Sequence, residues 1–398
     1  MRVSLRNLAI CGSLAVAGLA MAQTTAPKVT MAWNKLIPEA NSTNSRDGSG
    51  FNNKIYFSDK SKNAVYSWDP TTEAVTKIAD VNGLNTAITL DDAGNVLVAR
   101  GWAGAAGAKN YTIIAPDGTT TQFTANLHDN QNLSGATIAG RNDMLGRVAG
   151  NLLSEDGAIF YIFPGIATST SMIYVQNGAQ ADGPFSFFNS AIVTKNTADA
   201  TSVAQPLYTF AELVEMGDEA INGCAVRVRG NKNIYVYDAD KTDFVALTLP
   251  ASPAPGTDNG FDVFTLGGVN YQVYPTKTGA GSYNSTIAIA DFEGNVIYED
   301  ERGNLHTAGS STNSGSITAR KVDEHTVDVY TYYPTPSGAY VAKFVVSDES
   351  DAVSDIAVDE AEGEAVYYNL QGVRVAGEPA NGIYLKVANG KASKVLVK

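Results

Sequence analysis

The sequence predicts an all-β fold, a β-propeller followed by a small C-terminal β-module, and the propeller rests on three observations. First, strands and turns alternate with hairpin economy over residues 51 to 79. Asn53-Lys-Ile-Tyr-Phe-Ser-Asp59 alternates as a strand, Lys60 to Asn63 turns, Ala64-Val-Tyr-Ser-Trp68 is a second strand, Asp69-Pro-Thr-Thr72 turns, and Glu73 to Ile78 is a third. Second, the pattern returns as Ile234-Tyr-Val-Tyr-Asp238, a turn over Ala239 to Thr242, and Asp243-Phe-Val-Ala-Leu247, setting Tyr66 and Asp69 against Tyr235 and Asp238 at an offset of 169 residues. Third, 37 glycines, 19 tyrosines and many Thr/Val/Ile-rich runs come with few helix-forming stretches. Periodic four-stranded units without helices bury their faces against their neighbours, which is how propeller blades are built. The offset accommodates three repeats of about 56 residues or four of about 42. The span 30–348 then holds six blades of about 53 residues, with seven of about 46, or a pair of β-sandwiches, as the alternatives.

In chain order, the N-terminus comes first. Arg2 and Arg6 make a short basic region, Leu8 to Leu19 is apolar, and Ala20-Met21-Ala22 precedes Gln23, so residues 1–22 read as a signal peptide cut between Ala22 and Gln23. The apolar run is too short to span a bilayer as a stable helix. Leu8-Ala9-Ile10-Cys11 is superficially a lipoprotein box, but Ile10 is bulky for the position before the cysteine. The mature chain keeps Cys224 as its one cysteine, which forbids an intrachain disulfide and leaves an exported protein to be stabilised by core burial alone. It contains no further apolar run of membrane length, so no transmembrane segment is expected. Losing Arg2 and Arg6 takes the formal charge from -13 to -15, which argues against nucleic acid and anionic lipid as partners.

Within the body, a weaker third copy of the pattern runs over Val327-Asp-Val-Tyr330, a turn at Pro334 to Gly338, and Ala339 to Val346. Asp91-Asp-Ala-Gly-Asn95, Ser154-Glu-Asp-Gly157 and Asp291-Phe-Glu-Gly-Asn295 are carboxylate-rich turns that open into apolar strands. The stretch Ile55 to Ile78 resembles blades of the NHL-repeat and gluconolactonase-type propellers, whose pattern is hydrophobic-Tyr-x-x-Asp, a short loop, then a hydrophobic strand and Asp-Pro-x-Thr. For gluconolactonase-type enzymes the resemblance would imply a divalent metal held in the central channel by Glu, Asn and Asp. Their opening Glu-Gly-Pro is missing, Pro38-Glu39-Ala40 being the nearest run, so no ligand is carried over.

Catalytic signatures are sparse. His128, His306 and His325 are the whole histidine set, and there is no His-Glu-x-x-His pair, Cys/His cluster or Gly-x-Ser-x-Gly elbow. Gly101-Trp-Ala-Gly-Ala-Ala-Gly107 lacks the Gly-Lys-Ser/Thr ending of a phosphate loop and reads as a loop between blade strands. Asp238, Asp240 and Asp243 are spaced as hard oxygen ligands for calcium, the one cofactor left open. Alignment with Asp69 to Glu73 instead assigns them to a strand-to-strand turn, and Asp59, Asp91 and Asp92 receive the same turn reading. A paired-carboxylate hydrolase would leave no local spacing to read. The aromatic residues Trp102, Phe185, Phe187 and Phe188 fall where turns would expose them, and flat rings are platforms for sugars or peptides. The leading expectation is therefore a secreted or surface ligand-binding propeller without catalysis, its ligand a glycan or a protein. The alternatives are a metal-dependent lactonase or carbohydrate-active hydrolase in the central channel, and a structural surface protein.

The tail begins with Ser347 to Glu364, which holds eight carboxylates and no base and suits a solvated linker, residues 349–364. After it, Val366 to Asn369, Val373 to Val375, Ile383 to Val387 and Ala392 to Lys398 read as four short strands, with Asn389-Gly390 as a hairpin dipeptide. Tyr368-Asn-Leu-Gln-Gly-Val-Arg-Val375, Asn381-Gly-Ile-Tyr384 and Lys394-Val-Leu-Val-Lys398 together resemble the C-terminal sorting domain of Bacteroidetes proteins exported by the type IX (Por) system. Residues 365–398 would then be read by the secretion machinery, and the protein would work outside the cell or on the outer-membrane surface, with the periplasm as the alternative.

Overall fold

The computed structural model describes residues 26–100, 108–126, 145–162, 171–186, 206–210, 213, 223–228, 232–238, 243–256, 260–276, 286–300, 315–348, 366–369, 374–375, 382–388 and 391–397. The chain divides into two compact units, one ending at Asp348 and the other beginning at Glu349.

Six four-stranded antiparallel sheets make up the first unit, which is a six-bladed β-propeller. After β1 (Lys28–Ile37), blade I is β2 (Gly48–Phe51), β3 (Lys54–Asp59), β4 (Ala64–Trp68) and β5 (Val75–Asp80); blade II is β6 (Leu84–Leu90), β7 (Val96–Arg100), β8 (Ala108–Ile114) and β9 (Thr120–Asn126). Blade III is β10 (Ala149–Gly150), β11 (Ala158–Ile162), β12 (Ser171–Gln176) and β13 (Ala179–Ser186); blade IV is β14 (Pro206–Phe210), β15 (Cys224–Val228), β16 (Ile234–Asp238) and β17 (Asp243–Ala246). Blade V is β18 (Asp262–Leu266), β19 (Val269–Pro275), β20 (Ile287–Asp291) and β21 (Val296–Glu299). Blade VI takes β22 (Ser316–Asp323), β23 (Thr326–Thr335) and β24 (Gly338–Ser347) from one end of the chain and β1 from the other.

That last pairing closes the ring. β1 runs antiparallel to β24 from Lys28↔Ser347 to Ile37↔Ala339, with a bulge between Met31 and Trp33. The strands β4 and β16 are each the third of their blade, three blades apart, so the offset of 169 residues spans three repeats. The weaker copy falls elsewhere: it covers the second and third strands of blade VI, and Pro334 and Thr335 are still paired in β23, leaving residues 336–337 as the turn. Any tight hairpin produces that local pattern, whichever pair of strands it joins.

The first strand of each blade lies innermost. Ser49 of β2 and Thr318 of β22 share a hydroxyl hydrogen bond at 3.2 Å, and Asp262 of β18 accepts from Thr209 of β14 and from the Ala319 amide of β22. Apolar residues on the blade faces pack against the neighbouring blade. Val65 of blade I meets Ile88 and Val98 of blade II, Tyr111 and Phe123 of blade II meet Phe160 of blade III, and Val273 and Ile289 of blade V meet Val329 and Phe344 of blade VI. At the closing seam, Gly48 and Gly50 leave room for the Tyr332 and Tyr330 rings; a Cβ on Gly50 would stand 1.9 Å from Tyr330 Cγ. The Tyr330 hydroxyl donates to Asp328 and accepts the Asn53 amide, both at 2.9 Å, fastening blade VI to blade I.

Several carboxylates do the turn work expected of them. Asp59 Oδ1 accepts the Ser61 and Lys62 amides, and Asp69 Oδ1 accepts those of Thr71 and Thr72. Asp91-Asn95 and Asp291-Asn295 build the same turn, with the first Asp accepting the amides two and four residues on and the Asn amide closing the ring.

The second unit contains a three-stranded antiparallel sheet in the order β25 (Val366–Tyr368), β26 (Gly382–Ala388), β27 (Lys391–Val397). Of the second expected strand, Val373 to Val375, the described residues Arg374 and Val375 lie beside β25, with a bridge between Tyr368 and Arg374. Among the described residues no helix is long and apolar enough to cross a membrane.

Candidate functional site

Most of the aromatic candidates, Trp102, Phe187 and Phe188, lie outside the described residues, as do Asp240, the Ala22/Gln23 junction, His128 and His306. Phe185 is placed by its backbone in β13, opposite Met172, rather than in a turn. The strand absorbs Gly183-Pro184 through register shifts next to Tyr174, a common place for proline in a sheet. Asp238 and Asp243 stand opposite each other as register partners at the β16–β17 turn. His325 Nδ1 lies 2.9 Å from Asp348 Oδ1 at the end of blade VI.

Charged chemistry gathers at the propeller axis instead. Asp262 opens β18 between Phe261 and Val263, in a position where the apolar neighbours face blade IV. Its Oδ1 accepts the Thr209 hydroxyl and the Val263 amide at 2.9 Å, and its Oδ2 accepts the Ala319 amide at 2.6 Å. Arg147, just ahead of β10, sets Nη1 3.4 Å from Asp262 Oδ2 and Nη2 3.8 Å from Asp92 Oδ1. Arg320 of β22 donates through Nη1 to Asp92 Oδ1 at 3.1 Å and through Nη2 to the Leu90 carbonyl at 2.7 Å. Asp92 Oδ2 accepts the Gly150 amide at 2.7 Å.

These links skip blades. Arg147 belongs to blade III and Asp262 to blade V; Arg320 belongs to blade VI and Asp92 to the β6–β7 turn of blade II. Each guanidinium group therefore reaches across the interior of the ring to a blade two positions away. Side-chain exposure grades from 2% at Asp262 and 6% at Arg320 through 14% at Arg147 to 47% at Asp92, so the network is sealed inside and open at the end marked by the β6–β7 turn. Burial raises the Asp262 carboxyl above its ordinary value, against the pull of Arg147 and Thr209. Burial, with Arg147 as a nearby like charge, brings Arg320 down to about 10. Asp91 is raised by burial too, while its oxygens hold the Asn95 side chain and the Leu152 amide.

The chemical reach of this arrangement follows from what its oxygens already do. Asp262 has its acceptor positions taken by Thr209, Val263, Ala319 and Arg147, whereas Asp92 accepts once on each oxygen, from Arg320 and from the Gly150 amide. Among the described residues no group of three or more His, Cys, Asp or Glu is placed to hold a metal ion. The arginines are less fully used: Nε of Arg147 and Nε of Arg320 are both buried without a hydrogen-bond partner.

Asp92 lies in the β6–β7 turn where the sequence puts it, and its carboxylate additionally accepts from Arg320 at 3.1 Å and stands 3.8 Å from Arg147. Arg147, Arg320 and Asp262 come from segments far apart in sequence, so no motif joins them. The available signal is local: Ile317-Thr-Ala-Arg320 and Phe261-Asp-Val263 each put a charge inside an apolar strand.

Fold and site together define a six-bladed β-propeller whose axis is bridged by arginine–carboxylate contacts. No protein-family model matches the chain, and no curated protein does. Among solved structures it is similar to a protein of unknown function from Bacteroides thetaiotaomicron (11% identity, TM-score 0.41, covering 80% of this chain and 77% of that one). It is also similar to an unknown-function protein from Dyadobacter fermentans (12% identity, TM-score 0.43, 80% and 99% covered) and to a streptogramin B lyase (10% identity, TM-score 0.38, 82% and 100% covered).

Proposed function

We propose that this protein is an exported propeller that binds a ligand, a glycan or a protein, at the cell surface without transforming it. The observation that carries this reading is the state of the axial carboxylates: Asp262 is buried and held by Thr209, two backbone amides and Arg147, and Asp92 is tied to Arg320 and the Gly150 amide. A channel hydrolase needs free acid–base or metal-binding oxygens at that place. The surface address is carried by the basic-apolar leader ending at Ala22 and by the tail motifs of residues 365–398. A glycan and protein array probed with the mature chain tests the proposal, alongside a lactone and glycoside hydrolysis screen with added divalent metals. Saturable capture with no turnover is expected; metal-dependent hydrolysis abolished by Asp92→Asn would reverse the assignment to the channel enzyme.

A further inference from the structure

We propose that Arg147 and Arg320 form a carboxylate-binding site on the propeller axis, for a small acid of the kind a uronic acid sugar or an organic acid presents. The inference rests on the binding reading above and names the chemistry of the ligand. Arg147 makes only long contacts to protein carboxylates, at 3.4 and 3.8 Å, whereas charge-assisted N–H···O bonds close to about 2.7–2.9 Å. Both Asp262 oxygens also accept from the Thr209 hydroxyl and the Val263 and Ala319 amides, so Arg147 supplies countercharge there through Nη1 alone. Arg147 is thus a charge held on the axis with capacity to spare.

Geometry points to a planar anion. A guanidinium presents Nε–H and one Nη–H as a parallel pair that fits two oxygens of a carboxylate, and here the Nε of each arginine is buried and unpartnered. Asp92 shows which kind of group the pair holds: its Oδ1 lies 3.1 Å from Arg320 and 3.8 Å from Arg147. It is also the exposed member of the network, so the solvent-facing side of the two arginines is the side Asp92 occupies. Mutual repulsion contributes to the lowered Arg320 value, and a second anion between the guanidinium groups relieves it. Asp92 becomes the competitor that an incoming carboxylate displaces or joins.

Calorimetric titration of the mature chain with sodium glucuronate, sodium acetate, glucose and sodium chloride at matched ionic strength tests the site. Glucuronate should bind and raise the melting temperature above the chloride control, with glucose inert. Acetate matching glucuronate assigns recognition to the carboxylate alone; weaker acetate assigns part of it to the sugar. Arg147→Gln should lose at least tenfold in affinity, and Asp92→Asn, which removes the competing carboxylate, should gain severalfold. The opposite signs separate a binding role from a structural one, and Arg147→Lys with Asp92→Asn decides the matter if Arg147→Gln does not fold. A glucuronate response equalled by glucose or chloride, or unchanged affinity in Arg147→Gln, or weakened affinity in Asp92→Asn, overturns the proposal. Array capture of neutral ligands under those same outcomes would leave the binding function standing and remove only this site; capture of nothing would remove both.

Discussion

Replacing Asp262 with alanine should be among the most destabilising single changes in the propeller. The carboxylate is buried and accepts from Thr209, Val263 and Ala319, which join the inner strands of blades IV, V and VI. It also faces Arg147 of blade III at 3.4 Å. Its loss strands three donors and leaves a largely buried guanidinium less compensated, a change that costs about 3–5 kcal/mol. A propeller of this length unfolds with an entropy that converts this to a melting temperature lower by roughly 4–8 °C. Scanning calorimetry of the mature chain measures it. A shift below about 1 °C would mean that the axial network contributes nothing to holding the blades together, and the reasoning from burial and hydrogen bonding would fail.

Because burial raises the folded-state Asp262 value above 3.8, the folded protein binds the extra proton between the unfolded and folded values. The stability contributed by Asp262 is therefore complete below the unfolded value and declines as pH rises through the folded one. The gap between wild type and Asp262→Asn, followed by denaturant unfolding, should narrow from acid toward neutral pH; a widening gap would contradict it. Gly50→Ala should cost about 1–3 kcal/mol, since the new Cβ would meet the buried Tyr330 ring at 1.9 Å, and a neutral outcome in urea titration would show that the seam is looser than described. Removal of residues 365–398 is expected to leave the propeller folded but retained in the periplasm, and fractionation showing both forms equally periplasmic would remove the address reading. Limited proteolysis should cut first within Ser347 to Glu364; cutting confined to residues 101–108 would argue against a separate tail module.

Part of this architecture was legible because blades repeat locally. Tyr66 and Tyr235 both fall in the third strand of a blade, so the recurring hairpin pattern pointed to repeated blades and favoured six over seven. The closure was not legible. β1 is mostly exposed as the outermost strand of its blade, carries little alternation, and pairs with residues at the far end of the unit. The axis was hidden for the same physical reason: Arg147, Asp262 and Arg320 are single charges in separate blades, brought together only when the ring closes. Asp92 is the turn residue that its place next to Asp91 in a glycine turn suggests, but that composition carries no sign of its partners. Its partner Gly150 and its arginines come from other blades.

The propeller is proposed to hold a ligand and leave it unchanged. The direct measurement is to incubate captured ligand with excess mature protein, with and without calcium and other divalent cations, and to identify what is released by mass spectrometry. The account predicts that the ligand is recovered intact at every time point. Cleaved, ring-opened or eliminated product, accumulating with protein concentration and abolished by Asp92→Asn or Asp262→Asn, would contradict it and make the axis an active site.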